Sequence, residues 1–384
     1  MNLLIISHTP HYQSGGQVVG WGPTVREIDH LAALFTGVEH LAPLHADSAT
    51  DSALPYTQNN IQFTAVDPAG GDRLWDKLAI FLHVPRWLKT IRSALHRADV
   101  LHIRCPAGIS LVGLLAARLW GRGKPCWVKY AGSWQPGGKK PLSYRLQRWL
   151  IEKNWHQGLV TINGHWPGQP RHVHTFNNPS LTQAEYNQAA NHAQEKKLTL
   201  PVHLLFVGRV DRAKGVHYLL QIALKLKQAR LPFELTLVGD SPERPVFEAY
   251  VQEQQLADQV RFAGWQRLTD LPHYYQQAHL FLFPSRSEGW PKVLSEAMAH
   301  GVVPIASTVG SIPQTLAKVG AGKAIPSHQV ADYTDAIQNY AHNPGVWAAE
   351  RDQCIQAGVR YTYQAYLEDV QNMFQQAWQI ELKP

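Results

Sequence analysis

A chain of 384 residues is too long for one typical domain and comfortable for two; with 45% hydrophobic and 17% charged residues it is neither fibrous nor disordered. Its 36 basic against 29 acidic side chains leave a formal charge of +7, which favours an anionic partner: nucleic acid, an anionic lipid surface or a phosphorylated substrate. Three scattered cysteines, Cys105, Cys126 and Cys354, show no CxxC or Cys/His spacing and read as reduced structural thiols of a cytosolic compartment, not as a disulfide or zinc framework.

The opening "MNLLIIS" has an apolar run of four residues, no basic lead and no small-residue cleavage site, so neither a signal peptide nor a span is expected there. No later stretch approaches the roughly 20 apolar residues a span needs, which predicts a soluble or peripheral protein. In the first half, short apolar runs predict strands at 3–7, 61–66, 99–104, 126–130 and 158–162. Helices are predicted between them at 24–35, 76–97, 109–120 and 142–155. A polar segment, "FNNPSLTQAEYNQAANHAQEKKLTLP", places a domain boundary near 178 to 202. The rhythm restarts with "HLLFVG", "FELTLVG", "QVRFAG", "HLFLFPS" and "VVPIAS", each followed by a turn and a helix. The tail from 362 to 384 reads as one amphipathic helix, with Tyr363, Tyr366, Val370, Phe374 and Trp378 at helical spacing, able to pack back on the first domain. Alternating strands and helices predict an α/β chain of two doubly wound domains, 1–180 and 200–361, that face each other across a ligand cleft at the carboxyl ends of their strands.

The chemistry concentrates in "SEGWPKVLSEAMAHG", residues 287 to 301. Pro291 suits a first helical position and Gly301 a stop, predicting a helix over 291–300 whose amides, from Lys292 and Val293 onward, make an anion site with the positive end of the helix dipole. Glu288 stands before that site and Glu296 lies roughly 8 Å further along the helix. A nucleoside diphosphate sugar has this shape, an anion with a hydroxylated group on each side. Spacing alone equally allows a solvated loop acid and a surface helix acid. A second piece, "FVGRVDRAKG", offers Arg209 and Lys214 in a strand-to-helix turn, a planar fork and a compact point charge suited to two phosphates, or else ordinary surface cations.

These segments, with "LTLVGD", "VRFAGW", "LFLFPSRSEGWPKVLSEAMAHGVVPIAS" and "GSIPQTL", resemble in order and spacing the retaining glycosyltransferases of family 4, of the GT-B fold; the resemblance is strong over about 203 to 320. It implies two facing Rossmann-like domains, an acceptor side followed by a nucleotide-sugar donor side. It implies that Glu288 holds donor sugar hydroxyls and Glu296 the ribose, while Arg209 and Lys214 grip the diphosphate. Gly289, Trp290, Lys292 and Val293 would line the donor between the two acids, and Gly239, Gly264 and Trp265 would lie near the base. Gly15 and Gly16 match the glycine-rich loop that approaches the donor phosphates from the first domain, although a Gly-Gly pair by itself is as readily a plain turn.

One departure stands out. Where many members carry a histidine near the reacting sugar, this chain has Ala131 and Gly132, leaving Ser133, Trp134 or Lys129 as neighbours that could serve the acceptor. There is no Asp-x-Asp, so a carboxylate-held metal is not indicated and the donor, most readily UDP- or GDP-linked, is expected to be bound without one. The resemblance further implies same-face displacement with no protein nucleophile, a glycan, lipid-linked or small-molecule acceptor, and cytoplasmic work in bacterial polysaccharide or glycolipid synthesis. Two basic segments, 85–97 and 139–155, carry apolar residues at helical spacing; the plain reading buries that stripe in the core, and the sharper one lays it on an anionic membrane. Nucleic acid is disfavoured by the absence of zinc-finger spacing, RNP-like aromatics and long basic runs. A same-fold epimerase or hydrolase, or a non-catalytic sugar-nucleotide-binding protein, is the alternative.

Overall fold

The computed structural model describes residues 1–69, 74–134 and 142–382. It divides into two compact units, Met1–Phe176 with Leu367–Pro384, and Asn177–Tyr366.

The first unit is built on a sheet of strands β1 (Asn2–Ile6), β2 (His11–Ser14), β3 (Gln17–Trp21), β4 (Gly37–His45), β5 (Ala53–Pro55), β6 (Ile61–Val66), β7 (Val100–Cys105), β8 (Cys126–Tyr130), β9 (Leu159–Ile162) and β10 (Val173–Thr175). Its order is β10-β9-β8-β7-β1-β4-β2-β3-β5, with β6 beside β4. The pairings are parallel apart from the hairpin β2–β3 and the β3–β5 pair. Five of these strands, β2, β3, β4, β5 and β10, were not expected. In β4 the sequence carries Pro43, which argues against a central strand. Pairing with β1 ends at Leu41, and Pro43 falls before the strand meets β2 at Leu44, a position where a missing amide interrupts no ladder on that side. The final helix, Tyr363–Trp378, buries Tyr363, Tyr366, Val370 and Phe374; the Phe374 ring lies 6.0 Å from Phe35 and 6.4 Å from Trp127 in the first unit.

The second unit is a fully parallel sheet of β11 (Val202–Val207), β12 (Phe233–Val238), β13 (Val260–Gly264), β14 (Leu280–Phe283), β15 (Val303–Ala306) and β16 (Lys323–Ala324), in the order β13-β12-β11-β14-β15-β16. Strands 11 to 13 walk one way and strands 14 to 16 the other, so the order reverses between the neighbours β11 and β14. The polar segment 178–202 belongs to this unit and includes a helix, Gln183–Gln194, opened by a capping box between Thr182 and Glu185. It packs through Ala189, Ala190 and Ala193 against Ala299 and Ile355, which is why it is poor in large apolar residues. All three cysteines are buried and unbridged; burial pushes the Cys126 thiol up to about 12.

Of the two basic segments, the helix Leu74–Arg97 buries Trp87, Ile91 and Leu95 in the ordinary way. The helix Leu142–Glu152 overturns the expectation that its apolar stripe faces the core. Its buried side chains are Gln147 and Ile151, whereas Leu142, Leu146 and Trp149 are 77%, 46% and 53% exposed. Gln147 is drawn inward because its Oε1 accepts the Ala107 amide at 3.0 Å. No helix of the described residues is long and apolar enough to cross a membrane.

Candidate functional site

In open parallel sheets, ligands bind outside the carboxyl ends of the strands where the strand order reverses. In the second unit that point lies between β11 and β14, and the loops that follow these two strands carry Arg209, Lys214 and Glu288. Lys214 Nζ sits 2.5 Å from Glu288 Oε1, and the same oxygen accepts the Ser285 hydroxyl at 2.6 Å. The charges expected to serve phosphate and sugar separately are therefore joined as one pair across the switch point. Lys214 is also placed over the Phe283 ring, at 5.7 Å from its centroid.

Asp211, which spacing alone does not single out, organises the first loop. Its Oδ1 accepts the Lys214 amide at 2.8 Å and its Oδ2 lies 2.6 Å from Arg209 Nη2. Asp211 is buried, whereas the Arg209 side chain is 70% exposed, so a fixed carboxylate holds a cation out towards solvent. The available signal was an aspartate three residues before an amide that opens a turn. The turn closes at Gly215, whose φ is +81° and where a Cβ would lie 2.0 Å from the Pro284 carbonyl oxygen. Only glycine allows the loops after β11 and β14 to touch there.

The helix behind Glu288 runs Lys292–Ala299, one residue shorter at each end than expected; Pro291 is its extended N-cap and not its first helical residue. The amides of Lys292 and Val293 open it, while Leu294 already bonds back to the Pro291 carbonyl at 3.1 Å. Glu296 is only 9% exposed, so the surface-acid reading does not hold. Its Oε2 accepts the hydroxyl of buried Tyr275 at 2.9 Å, and burial with this neighbouring carboxylate holds the Tyr275 hydroxyl well above its ordinary pKa. Trp290 turns inward: its ring stacks on Tyr361 at 5.4 Å and its indole N–H donates to Ser295 Oγ at 2.7 Å, which leaves backbone for any ligand. Gly289 is fixed by Ser311, whose amide and hydroxyl both donate to its carbonyl at 3.1 Å. Gly239 follows β12 with φ +131°, and a Cβ there would lie 1.9 Å from the Gly208 carbonyl oxygen, so its glycine is required by packing against the neighbouring strand end. Trp265, just past Gly264, is exposed.

Gly15 and Gly16 lie in the first unit as the two turn residues of the β2–β3 hairpin, between the paired Ser14 and Gln17, with φ of +57° and +79°. Positive φ at both positions is a type I′ turn. The strand that precedes this turn is anchored by a closed ring of hydrogen bonds. His11 Nδ1 faces the Thr9 carbonyl at 2.9 Å, which can only accept, so that nitrogen carries the proton. His11 Nε2 then accepts from the Tyr56 hydroxyl at 2.8 Å, Tyr56 accepts from His40 Nδ1 at 2.5 Å, and His40 Nε2 accepts from Ser7 Oγ at 2.8 Å. Ser7 Oγ in turn accepts the Thr9 amide at 3.1 Å, closing the circuit. Burial, foremost, brings His11 down to about 4 and His40 well below its ordinary value, so both rings stay neutral.

The neighbours of the missing histidine separate. Lys129 is buried and bonds Glu27 Oε1 at 2.6 Å, an oxygen that Arg104 also reaches at 2.7 Å. Arg104 and Lys129 are direct partners across β7 and β8, and sequence spacing gave no sign of this shared carboxylate. Trp134 is buried edge-on against Tyr130, 5.5 Å between ring centroids. Both are committed to the fold of the first unit, which corrects their candidacy for the acceptor; the buried Ser133 hydroxyl has no hydrogen-bond partner among the described residues.

Residues 187–360 match the family model described as Glycosyl transferases group 1. A D-inositol 3-phosphate glycosyltransferase of Corynebacterium kroppenstedtii is 24% identical over 237 residues, 58% of this chain and 52% of that protein. The chain spans about half the length of the curated relatives it matches. Among solved structures, sucrose-phosphate synthase from Thermosynechococcus elongatus superposes with a TM-score of 0.72 at 19% identity, covering 98% of this chain and 99% of that one. HepE of Anabaena, in complex with UDP and glucose, gives 0.68 at 15% identity, covering 97% and 98%. The chain therefore has the GT-B glycosyltransferase fold over nearly its whole length.

Proposed function

We propose that this chain is a retaining hexosyltransferase that takes its sugar from a nucleoside diphosphate donor, UDP- or GDP-linked, and passes it to a hydroxyl of a glycan, lipid-linked or small-molecule acceptor in bacterial polysaccharide or glycolipid synthesis. The observation that carries this reading is the charged pair of loops at the strand-order reversal of the second unit: Arg209 held out by Asp211, and Lys214 joined to Glu288 beside the amide end of a helix. A UDP complex of a protein with the same fold supports the donor class.

In this reading Arg209, Lys214 and the amides of Lys292 and Val293 meet the charge that grows on the leaving diphosphate, a clamp arranged before the reaction begins. Glu288, relieved of Lys214 when phosphate takes the ammonium, turns to the sugar hydroxyls, and Glu296 faces the ribose. The bond from the anomeric carbon to the diphosphate oxygen breaks as the acceptor oxygen attacks the same face. The acceptor's proton passes to the departing phosphate, so no protein nucleophile is needed. The sequence supports binding without a carboxylate-held metal because it has no Asp-x-Asp.

The outward apolar stripe of the helix Leu142–Glu152 supports attachment to an anionic membrane, with Leu142, Leu146 and Trp149 entering the interface and Arg145 near the headgroups. The full chain is expected to sediment with anionic vesicles at low salt, and Leu146→Ser with Trp149→Ser to release it; a chain that never sediments would refute the membrane role. The transfer reading is tested by product formation from radiolabelled UDP-glucose and GDP-mannose with Arg209→Ala and Lys214→Ala. Undiminished transfer by either variant would reject the site assignment, and sugar release or epimerisation without an acceptor would identify a different reaction.

A further inference from the structure

The opposite, amino-terminal end of the second unit's sheet has a feature with no part in the donor reading. Along β12 the residues alternate, Phe233 and Leu235 buried, Glu234 exposed and Thr236 half-buried; β13 follows suit with Val260 buried and Arg261 exposed. Such alternation marks a sheet face open to solvent, whereas parallel strands are normally covered on both faces and read as continuous apolar runs. The register puts His203 beside Glu234, and Leu205, Thr236 and Arg261 in one row, so these side chains share a face.

Right-handed crossovers place the helices after β11 and β12 on one face and the helix after β13 on the other. That last helix, Leu271–Gln277, has seven residues and spans roughly 10 Å, about half the length of a six-residue strand. It leaves a cleft of about 860 Å³ at the amino ends of β11, β12 and β13, bordered on the helix side by Tyr274 and Gln277. That volume lies in the range of small-molecule sites.

The chemistry of the cleft is balanced. His203 Nδ1 lies 3.3 Å from Glu234 Oε2, and Arg261 and Asp258 supply one charge of each sign. Lys196 borders the cleft as a second cation, its ammonium donating to the carbonyls of Tyr275, Ala278 and His300 at 2.9, 2.9 and 2.8 Å and capping the ends of two helices. Paired charges, carboxamides that both donate and accept, and a tyrosine at the rim suit neither an anion nor an apolar peptide.

We propose that this cleft is a second carbohydrate-binding site, which holds a neutral, polyhydroxylated glycan chain at the end of the sheet remote from the Arg209–Lys214 loop. The test is calorimetric titration of the full chain with maltohexaose, cellohexaose and isomaltohexaose, repeated on Arg261→Ala and Gln277→Ala, with UDP-glucose and GDP-mannose titrated in parallel. Saturable binding of at least one hexaose, weakened about tenfold in both variants while nucleotide-sugar affinity is unchanged, is the expected result. Absence of saturable binding by all three, or binding of equal strength in the variants, would overturn the proposal. Failure of the nucleotide sugars alone would count against the donor reading and leave the glycan site standing.

Discussion

The carboxyl ends of the two sheets make different use of the same architecture. In the second unit the polar groups beyond β11 and β14 are held from below and presented: Asp211 is buried and Arg209 is exposed, Ser285 supports Glu288, and a single glycine lets the two loops meet. In the first unit the polar groups on β2, β4, β7 and β8 satisfy one another, His11 and His40 through Tyr56, and Arg104 and Lys129 through Glu27. The lesson is that a cluster of charged and polar residues at a sheet's ligand edge is informative only once its partners are known. Partners that leave a cation in solvent suit ligand binding, and partners that close a circuit suit the fold.

Breaking the presented cluster should have the largest effect. Lys214→Ala is expected to lower sugar transfer on the order of 10²- to 10³-fold, about 3 to 4 kcal/mol in barrier, with an unchanged melting temperature. Steady-state transfer with a saturating donor checks it. Gly215→Ala attacks the same corner through the backbone, since the residue must hold positive φ and its Cβ would meet the Pro284 carbonyl. A loss of about 3 kcal/mol in a denaturant titration is expected, accompanied by loss of transfer.

Effects on the closed cluster should appear in stability. His11 titrates at about 4 in the folded chain, below its unfolded value of 6.5, so the unfolded chain binds more protons across that window. The sign is then fixed: this contribution is intact above pH 6.5 and is lost progressively as pH falls to 4, by up to about 3 kcal/mol. The pH slope of unfolding free energy, compared between the natural chain and His11→Gln, should show the difference; identical slopes would mean His11 is not held neutral by its burial. Tyr56→Phe leaves two buried imidazole nitrogens without a partner and is expected to cost about 2 kcal/mol, read by thermal unfolding, while transfer measured in the folded chain changes less than in Lys214→Ala. The smallest effect sharpens the pairing itself. Lys214 and Glu288 share one short contact, so the double variant should fall short of the sum of the single variants by about 1 kcal/mol in barrier, whereas strict additivity would mean they act separately.

Much of the second unit was legible because its strands are buried and continuous, and because Gly215, Pro291 and Gly301 punctuate their turns. What escaped depended on context that local sequence does not carry. Strand β4 contains Pro43 and survives only because the ladder on one side has a gap there. The hairpin around Gly15 and Gly16 looked like a loop because His11 and Tyr12 form a strand through a ring contact and a pairing with residues some 30 positions away. The helix Gln183–Gln194 looked like a linker because it packs through alanines. The helix Leu142–Glu152 inverted the hydrophobic rule, since a glutamine is buried to cap the Ala107 amide while tryptophan and leucine face out. Among the site residues, the positions of Arg209, Lys214, Glu288 and Glu296 were readable from spacing. Tyr275, the partner of Glu296, was not, because it comes from 21 residues away, whereas Asp211 and Ser285 stand three residues from Lys214 and Glu288 and left only a local turn signal.

The proposed function requires the strand-order reversal of the second unit to hold a nucleoside diphosphate sugar. Calorimetric titration of UDP-, GDP- and ADP-glucose into the natural chain and Lys214→Ala tests it most directly. One nucleotide class should bind the natural chain and lose at least about tenfold in affinity in the variant. Equal affinity in the two chains, or no binding by any of the three, would rule out a donor site at this reversal.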